Sequence, residues 1–175
     1  MNQNDEQPCN IDMEKQLLGA MLIRCGEIIP KVINIVSAED FYRHEHRIIF
    51  QTIVRMYEQG NPSNSLGLWE ELNKSKDKGK IDFSYLKSVE LSIHTNAYAV
   101  GHAKIIKEKS ELRHLMLASD ELKQVAQLGL KPLAEIIAEH QIALDAINQS
   151  SKPINKSSFN EYFVNLFRRS PALNS

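Results

Sequence analysis

The stretch EDFYRHEHRIIF (Glu39–Phe50) sets two histidines two residues apart around a carboxylate and between two arginines. Imidazole and carboxylate side chains bind divalent metals and move protons near neutral pH, so an enzyme's chemistry would be sought here first. The spacing argues against it. On an α-helix, positions two apart point about 200° away from one another. His44 and His46 then cannot hold one ion together, because metal-binding histidine pairs on helices stand four apart. His46 instead shares a stripe with Ile49, Phe50, Ile53 and Tyr57, which marks it as a core residue. His44, with Arg43 and Arg47, falls on a solvated or contact face.

The remaining candidates for chemistry are weaker still. His94, His102, His114 and His140 are scattered, with no cysteine or carboxylate at ligand spacing, and His140 fits better as a polar residue fixing helix register. The serines form no G-x-S-x-G nucleophile motif. Gly79-Lys80 is followed by Ile81, and the residue five before Gly79 is Lys74, so G-x-x-x-x-G-K-[ST] is absent. A G-x-G-x-x-G loop is absent as well. The residues therefore read as a non-enzyme without catalytic, cofactor-binding or metal-binding positions, and the sequence encodes no backbone cradle for the phosphates of ATP.

The bulk properties agree with a binding or assembly role. A chain of 175 residues, 42% hydrophobic and 25% charged, suffices for one modest core with an appendage. Its formal net charge of −1 gives no general surface for nucleic acid or membrane. Cys9 and Cys25 lie in no CxxC or metal spacing and read as reduced thiols. The polar, acidic opening MNQNDEQPCN does not read as a signal peptide, and no apolar run reaches membrane-spanning length. A soluble cytoplasmic protein is the expectation.

Helical elements must carry these residues. Asn10 caps a helix from Ile11, in which Met13, Leu17, Ala20 and Met21 recur at helical spacing. GEIIPKVINIV predicts a second short helix, in which Pro30 is tolerated if it lies in the first turn. Ser37 caps a turn into a third helix that Gly60 ends. Asn64 caps a fourth, SLGLWEELNK, and Asp82 a fifth, FSYLKSVE. From Thr95 breakers become rare, which predicts a helix of about 30 residues. Its Ile105, Leu112, Leu115, Leu122 and Ala126 follow a heptad track, with Met116 alongside. After the turn LGLKP, Leu133, Ile137, His140, Leu144 and Ile147 step by four and three, the seam of an antiparallel hairpin. Ile106, Leu117 and Ile136 sit off that seam, where exposure would join them to a patch large enough to signal association.

The expected organisation is all-α. It comprises a disordered N-terminus over residues 1–9, a compact helical head over 10–94, a long antiparallel helical hairpin over 95–148, and a linker with an amphipathic tail helix over 149–175. In the tail, Phe159, Phe163, Leu166 and Phe167 share a face, and Lys152, Lys156, Arg168 and Arg169 outnumber the single carboxylate Glu161. Such a helix is a docking element or the remnant of a longer chain.

Three stretches in order carry a family resemblance. PCNIDMEKQLLGAMLI (Pro8–Ile23) resembles the opening of the N-terminal domain of DnaB-type replicative helicases, with an acidic residue ahead of LLGAML. AEDFYRHEHRIIFQTIVRMYEQGNP resembles that family's Asp-Phe-Tyr, His-Arg, Ile-Phe and Gly-x-Pro succession. HAKIIKEKSELRHLM (His102–Met116) resembles the stretch at the start of its helical hairpin. The resemblance covers residues 8–148 and implies packing roles for Leu18, Gly19, Phe41, Tyr42, His46, Arg47, Ile49 and Phe50. Departures are Asn64 in place of a capping aspartate, the absence of paired glycines before Tyr85-Leu86, His102 in place of a tyrosine, and an asparagine replaced near Tyr98.

Family members are hexameric rings whose N-terminal domains form collars, not motors. The resemblance therefore implies a non-catalytic domain for oligomer assembly that also docks primase or a helicase loader during DNA replication. The expected partners are a second copy, as a dimer or trimer of dimers, and a primase C-terminal domain or loader; nucleic acid enters at most indirectly, and membrane not at all. Self-association and partner binding would fall on Ile105, Leu112, Leu115, Met116, Leu122, Leu133, Ile137, His140, Leu144 and Ile147. The alternative is a stand-alone regulator with the same fold that binds a host helicase or primase in trans. A DNA-binding role would rest on Arg43, Arg47 and the basic tail, which form no continuous stripe.

Overall fold

The computed structural model describes residues 7–61, 64–93 and 95–150, and every regular element among them is helical. The expected tail helix around Phe159–Phe167 and most of the expected disordered N-terminus lie outside the described residues.

The head is built where the capping residues predict. Helix α1 spans Ile11–Ile23, and the Asn10 side chain accepts a hydrogen bond from the Met13 N–H at 3.1 Å. Helix α2 spans Cys25–Val32. Ser37 and Asp40 close a reciprocal capping box over the 3-10 turn Ala38–Asp40, which delivers the chain to α3, His44–Glu58. Gly60 follows α3 with φ of +70°, a left-handed conformation that glycine takes without a side-chain clash. Helix α4, Ser65–Lys74, is capped by the Asn64 side chain, which accepts from the N–H groups of Leu66 and Gly67.

Two local expectations are corrected. Pro30 lies late in α2 instead of in its first turn. Its missing N–H would have served the carbonyl of Gly26, which is exposed, so water can take that place, and the helix ends two residues later. Asp82 precedes α5, Phe83–Glu90, but its side chain makes no capping bond; only its backbone carbonyl accepts, from the Tyr85 and Leu86 N–H groups.

The core of this first unit gathers Leu17, Leu18 and Met21 of α1 with Ile29, Val32, Phe41, Ile49, Leu68, Leu86 and Val89, all buried. Helix α1 packs against α2, α3 and α5. Gly19 permits the approach to α5, since a Cβ there would meet the Val89 carbonyl oxygen at 2.5 Å. Helix α6, Ala99–Leu128, adds Ala99, Ala103 and Ile106 to the same core. The first compact unit accordingly runs to Ser110, whereas the change in sequence character falls at Thr95. Ile106, read as off the seam, is buried here and joins no exposed patch.

The second unit, from Glu111, holds the rest of α6 and α7, Leu133–Ser150. Gly129, with φ of +61°, turns the chain between them. Helix α7 continues to Ser150, past Asn148, where the sequence had placed the start of a linker. Glu121, Leu122 and Val125 of α6 line one cleft with Ile136, Glu139, His140 and Ala143 of α7. The inward positions are thus Ala118, Ile136 and Ala143, which are buried, with Leu122, Val125, His140 and Ile147 half-buried. Ile136, expected off the seam, is buried in it.

Candidate functional site

The histidine pair of the opening motif is resolved by its surroundings. His44 starts α3 and is exposed; His46, two residues on, is fully buried. Both of its ring nitrogens are engaged: Nδ1 lies 2.6 Å from Glu14 Oε2 and Nε2 lies 2.7 Å from the Tyr85 hydroxyl. A carboxylate oxygen accepts, so Nδ1–H donates to Glu14, and the Tyr85 O–H donates to Nε2. Glu14 Oε1 also accepts from the Tyr42 backbone N–H at 2.7 Å. Arg43 Nη1 donates to the Tyr85 oxygen at 3.4 Å, and its guanidinium stands 5.4 Å from the centre of the Tyr85 ring. Glu14, His46 and Tyr85 come from α1, α3 and α5 in turn, so the row ties three helices of the head together.

A carboxylate, an imidazole and a hydroxyl in line follow the order of a hydrolytic triad. The hydroxyl here is unsuited to nucleophilic attack. Burial pushes the Tyr85 phenol above its ordinary pKa, the reverse of what an activated nucleophile requires. Among the described residues no three of His, Cys, Asp and Glu come together as metal ligands. The cluster acts as a polar clasp inside the head. Glu14 and Tyr85 were not singled out from sequence; the available signal was a charged residue within the stripe of Leu17, Leu18 and Met21.

The residues to which the resemblance gives packing roles differ in burial. Leu18, Gly19, Phe41, His46, Ile49 and Phe50 are buried, and Phe41 and Phe50 meet with ring centroids 5.0 Å apart. Arg47 Nε donates to the Phe41 carbonyl at 2.7 Å and so holds the bend before α3. Tyr42 differs: its side chain is 40% exposed, and its backbone N–H makes the contribution to the clasp.

The residues expected to associate divide into two groups. Leu122, His140 and Ile147 turn inward within the hairpin, and Ile105 is half-buried in the first unit. Leu112, Leu115, Met116, Leu133, Ile137 and Leu144 are exposed, Leu133 by 72% and Ile137 by 58%. Counted from the inward stripe, Leu115 and Leu112 stand about 60° to 120° around α6, with Met116 beyond them. Leu133, Ile137 and Leu144 stand about 60° to 100° around α7 in the same rotational sense. Because the two helices run antiparallel, both sets share one face of the hairpin. Leu117 is also exposed but lies on the other flank of α6. Among the described residues no helix is long and apolar enough to cross a membrane.

Known proteins share this fold. The family model described as the DnaB-like helicase N terminal domain matches residues 6–108. The replicative DNA helicase DnaB of Rhodothermus marinus is 36% identical over 103 residues, covering 58% of this chain and 11% of that relative. DnaB of Geobacillus stearothermophilus is 31% identical over 118 residues, covering 67% of this chain and 26% of its own length. The chain therefore spans about a quarter or less of these relatives. The crystal structure of the N-terminal domain of DnaB helicase from Mycobacterium tuberculosis superposes with a TM-score of 0.69 at 26% identity, covering 79% of this chain and 98% of that one. A DnaB-like replicative helicase, described with its interactions with primase, matches with a TM-score of 0.64 at 18% identity over 91% of this chain and 36% of that one, a likeness of fold. With the three motifs in order, the all-helical head and a family match over more than half its length, this chain belongs to the family of DnaB-like helicase N-terminal domains.

Proposed function

We propose that the chain is a non-catalytic collar domain that self-associates through the exposed hairpin face and docks primase or a helicase loader during DNA replication. The observation that carries this reading is the apolar face of Leu112, Leu115, Met116, Leu133, Ile137 and Leu144, left uncovered by the hairpin's own partner helix. Large apolar side chains grouped on one face of a helix pair are unfavourable in water, and covering them with a matching surface lowers the free energy. Twofold pairing of two hairpins would cover the same face on both copies. The non-catalytic part of the reading is supported by His46, whose two ring nitrogens are committed to Glu14 and Tyr85. The cytoplasm is the expected site of action.

Native mass spectrometry of the chain, alone and with a primase C-terminal domain, tests both parts. The expected spectra hold even-numbered assemblies of the chain and a mixed complex with the primase domain. Monomer alone, with no mixed species, overturns the proposal.

A further inference from the structure

The head carries a second exposed apolar surface, well separated in sequence from the hairpin. Trp69 of α4 and Phe83 at the start of α5 meet edge to face, with ring centroids 5.9 Å apart and 66° between their planes. Both remain open to solvent, Trp69 by 37% and Phe83 by 40%. Leu66, three residues before Trp69 and so beside it on the helix, is exposed as well. The start of α4 is held next to the end of α5 by the Ser65 hydroxyl, which donates to Glu90 at 2.9 Å, so the surface beneath the strip is fixed.

Lysines border this strip. Lys74, Lys76, Lys78 and Lys80 alternate through the connection between α4 and α5, all of them exposed. Asp77 is engaged by Lys80 at 2.7 Å, and Glu71 by Arg55 at 3.3 Å. Lys74 and Lys78 make no ion pair among the described residues. The loop is therefore cationic, while the helix surface next to it is aromatic and aliphatic.

We propose that the Leu66–Trp69–Phe83 strip and the Lys74–Lys80 loop together form a docking site for an acidic peptide segment of another protein that carries apolar anchor residues. An apolar anchor covers the strip while carboxylates of the same segment meet the loop lysines, so each half of the surface is matched. A single-stranded nucleic acid fits less well. Its bases need open aromatic faces for stacking, and here the two rings cover one another edge to face beside an aliphatic leucine.

Trp69 is the sole tryptophan of the chain, so its emission reports occupancy of the strip directly. The full chain is titrated with a synthetic peptide of alternating Glu and Leu ending in Phe, with the same peptide bearing Lys for Glu, and with a thymidine dodecamer. The expected result is a saturable blue shift with the acidic peptide alone. In the doubly substituted K76E/K78E chain, affinity falls roughly tenfold, and added salt weakens the wild-type complex in the same direction. Phe83→Ser removes the shift while circular dichroism confirms the helical fold. No shift with the acidic peptide, an equal shift with the lysine peptide, or a response to the oligonucleotide alone each overturns the proposal.

Discussion

Glu14 is a carboxylate at 1% exposure, and donors converge on it there. Tyr42 N–H and His46 Nδ1 lie within hydrogen-bonding distance, and His46 is held in turn by Tyr85. Removing the imidazole leaves that buried carboxyl group without one of its partners. His46→Ala is therefore expected to lower the unfolding free energy by about 3–5 kcal/mol, whereas Tyr85→Phe, which removes one hydroxyl, costs about 1 kcal/mol. Urea denaturation separates the two. Glu90 offers a pH-dependent counterpart. Hydrogen bonds from the Lys87 ammonium and then the Ser65 hydroxyl hold its carboxyl below the ordinary glutamate value of 4.5. With a lowered folded pKa, its stabilisation is complete above that value and is lost as pH falls through the folded pKa. Glu90→Gln is expected to cost about 1 kcal/mol at neutral pH, with the difference from wild type shrinking in acid. Thermal midpoints measured across the acidic range check the sign.

Among the elements, the close seat of α1 on α5 depends on one missing Cβ. Gly19→Ala drives a methyl group into the Val89 carbonyl, a backbone atom with little room to yield, and is expected to cost about 2 kcal/mol or more by thermal denaturation. Helix starts were readable where a side chain itself makes the cap, as Asn10 and Asn64 do. Asp82 carries the same signature, yet there the backbone carbonyl makes the turn. The hairpin was readable in its period but not in its phase. A spacing of four and three selects the large apolar residues, Leu133, Ile137 and Leu144 among them, and large residues read as inward. Instead Ala118 and Ala143 face the partner helix, their small side chains suiting a close seam, and part of the leucine track is left outside. The clasp of Glu14, His46 and Tyr85 was legible only as a buried histidine, because its partners are distant in sequence and meet only on folding.

For the whole molecule, the outward phase of the hairpin's large residues is the feature that links structure to function. An exposed helix pair gains nothing from the apolar side chains of Leu115, Leu133 and Ile137 unless another surface covers them, and the proposed collar role supplies that surface from a second copy. An aspartate at either Leu115 or Ile137 would place an unpaired charge in such an interface while leaving the hairpin's inward residues untouched. Circular dichroism of Leu115→Asp and Ile137→Asp is thus expected to match wild type. The most direct test is sedimentation velocity of the wild-type chain and these two variants over a broad concentration range. The account predicts dimers or larger assemblies for wild type that grow with concentration, and monomers for both variants. A wild-type chain that sediments as a monomer at every concentration, or variants that assemble as wild type does, would contradict it.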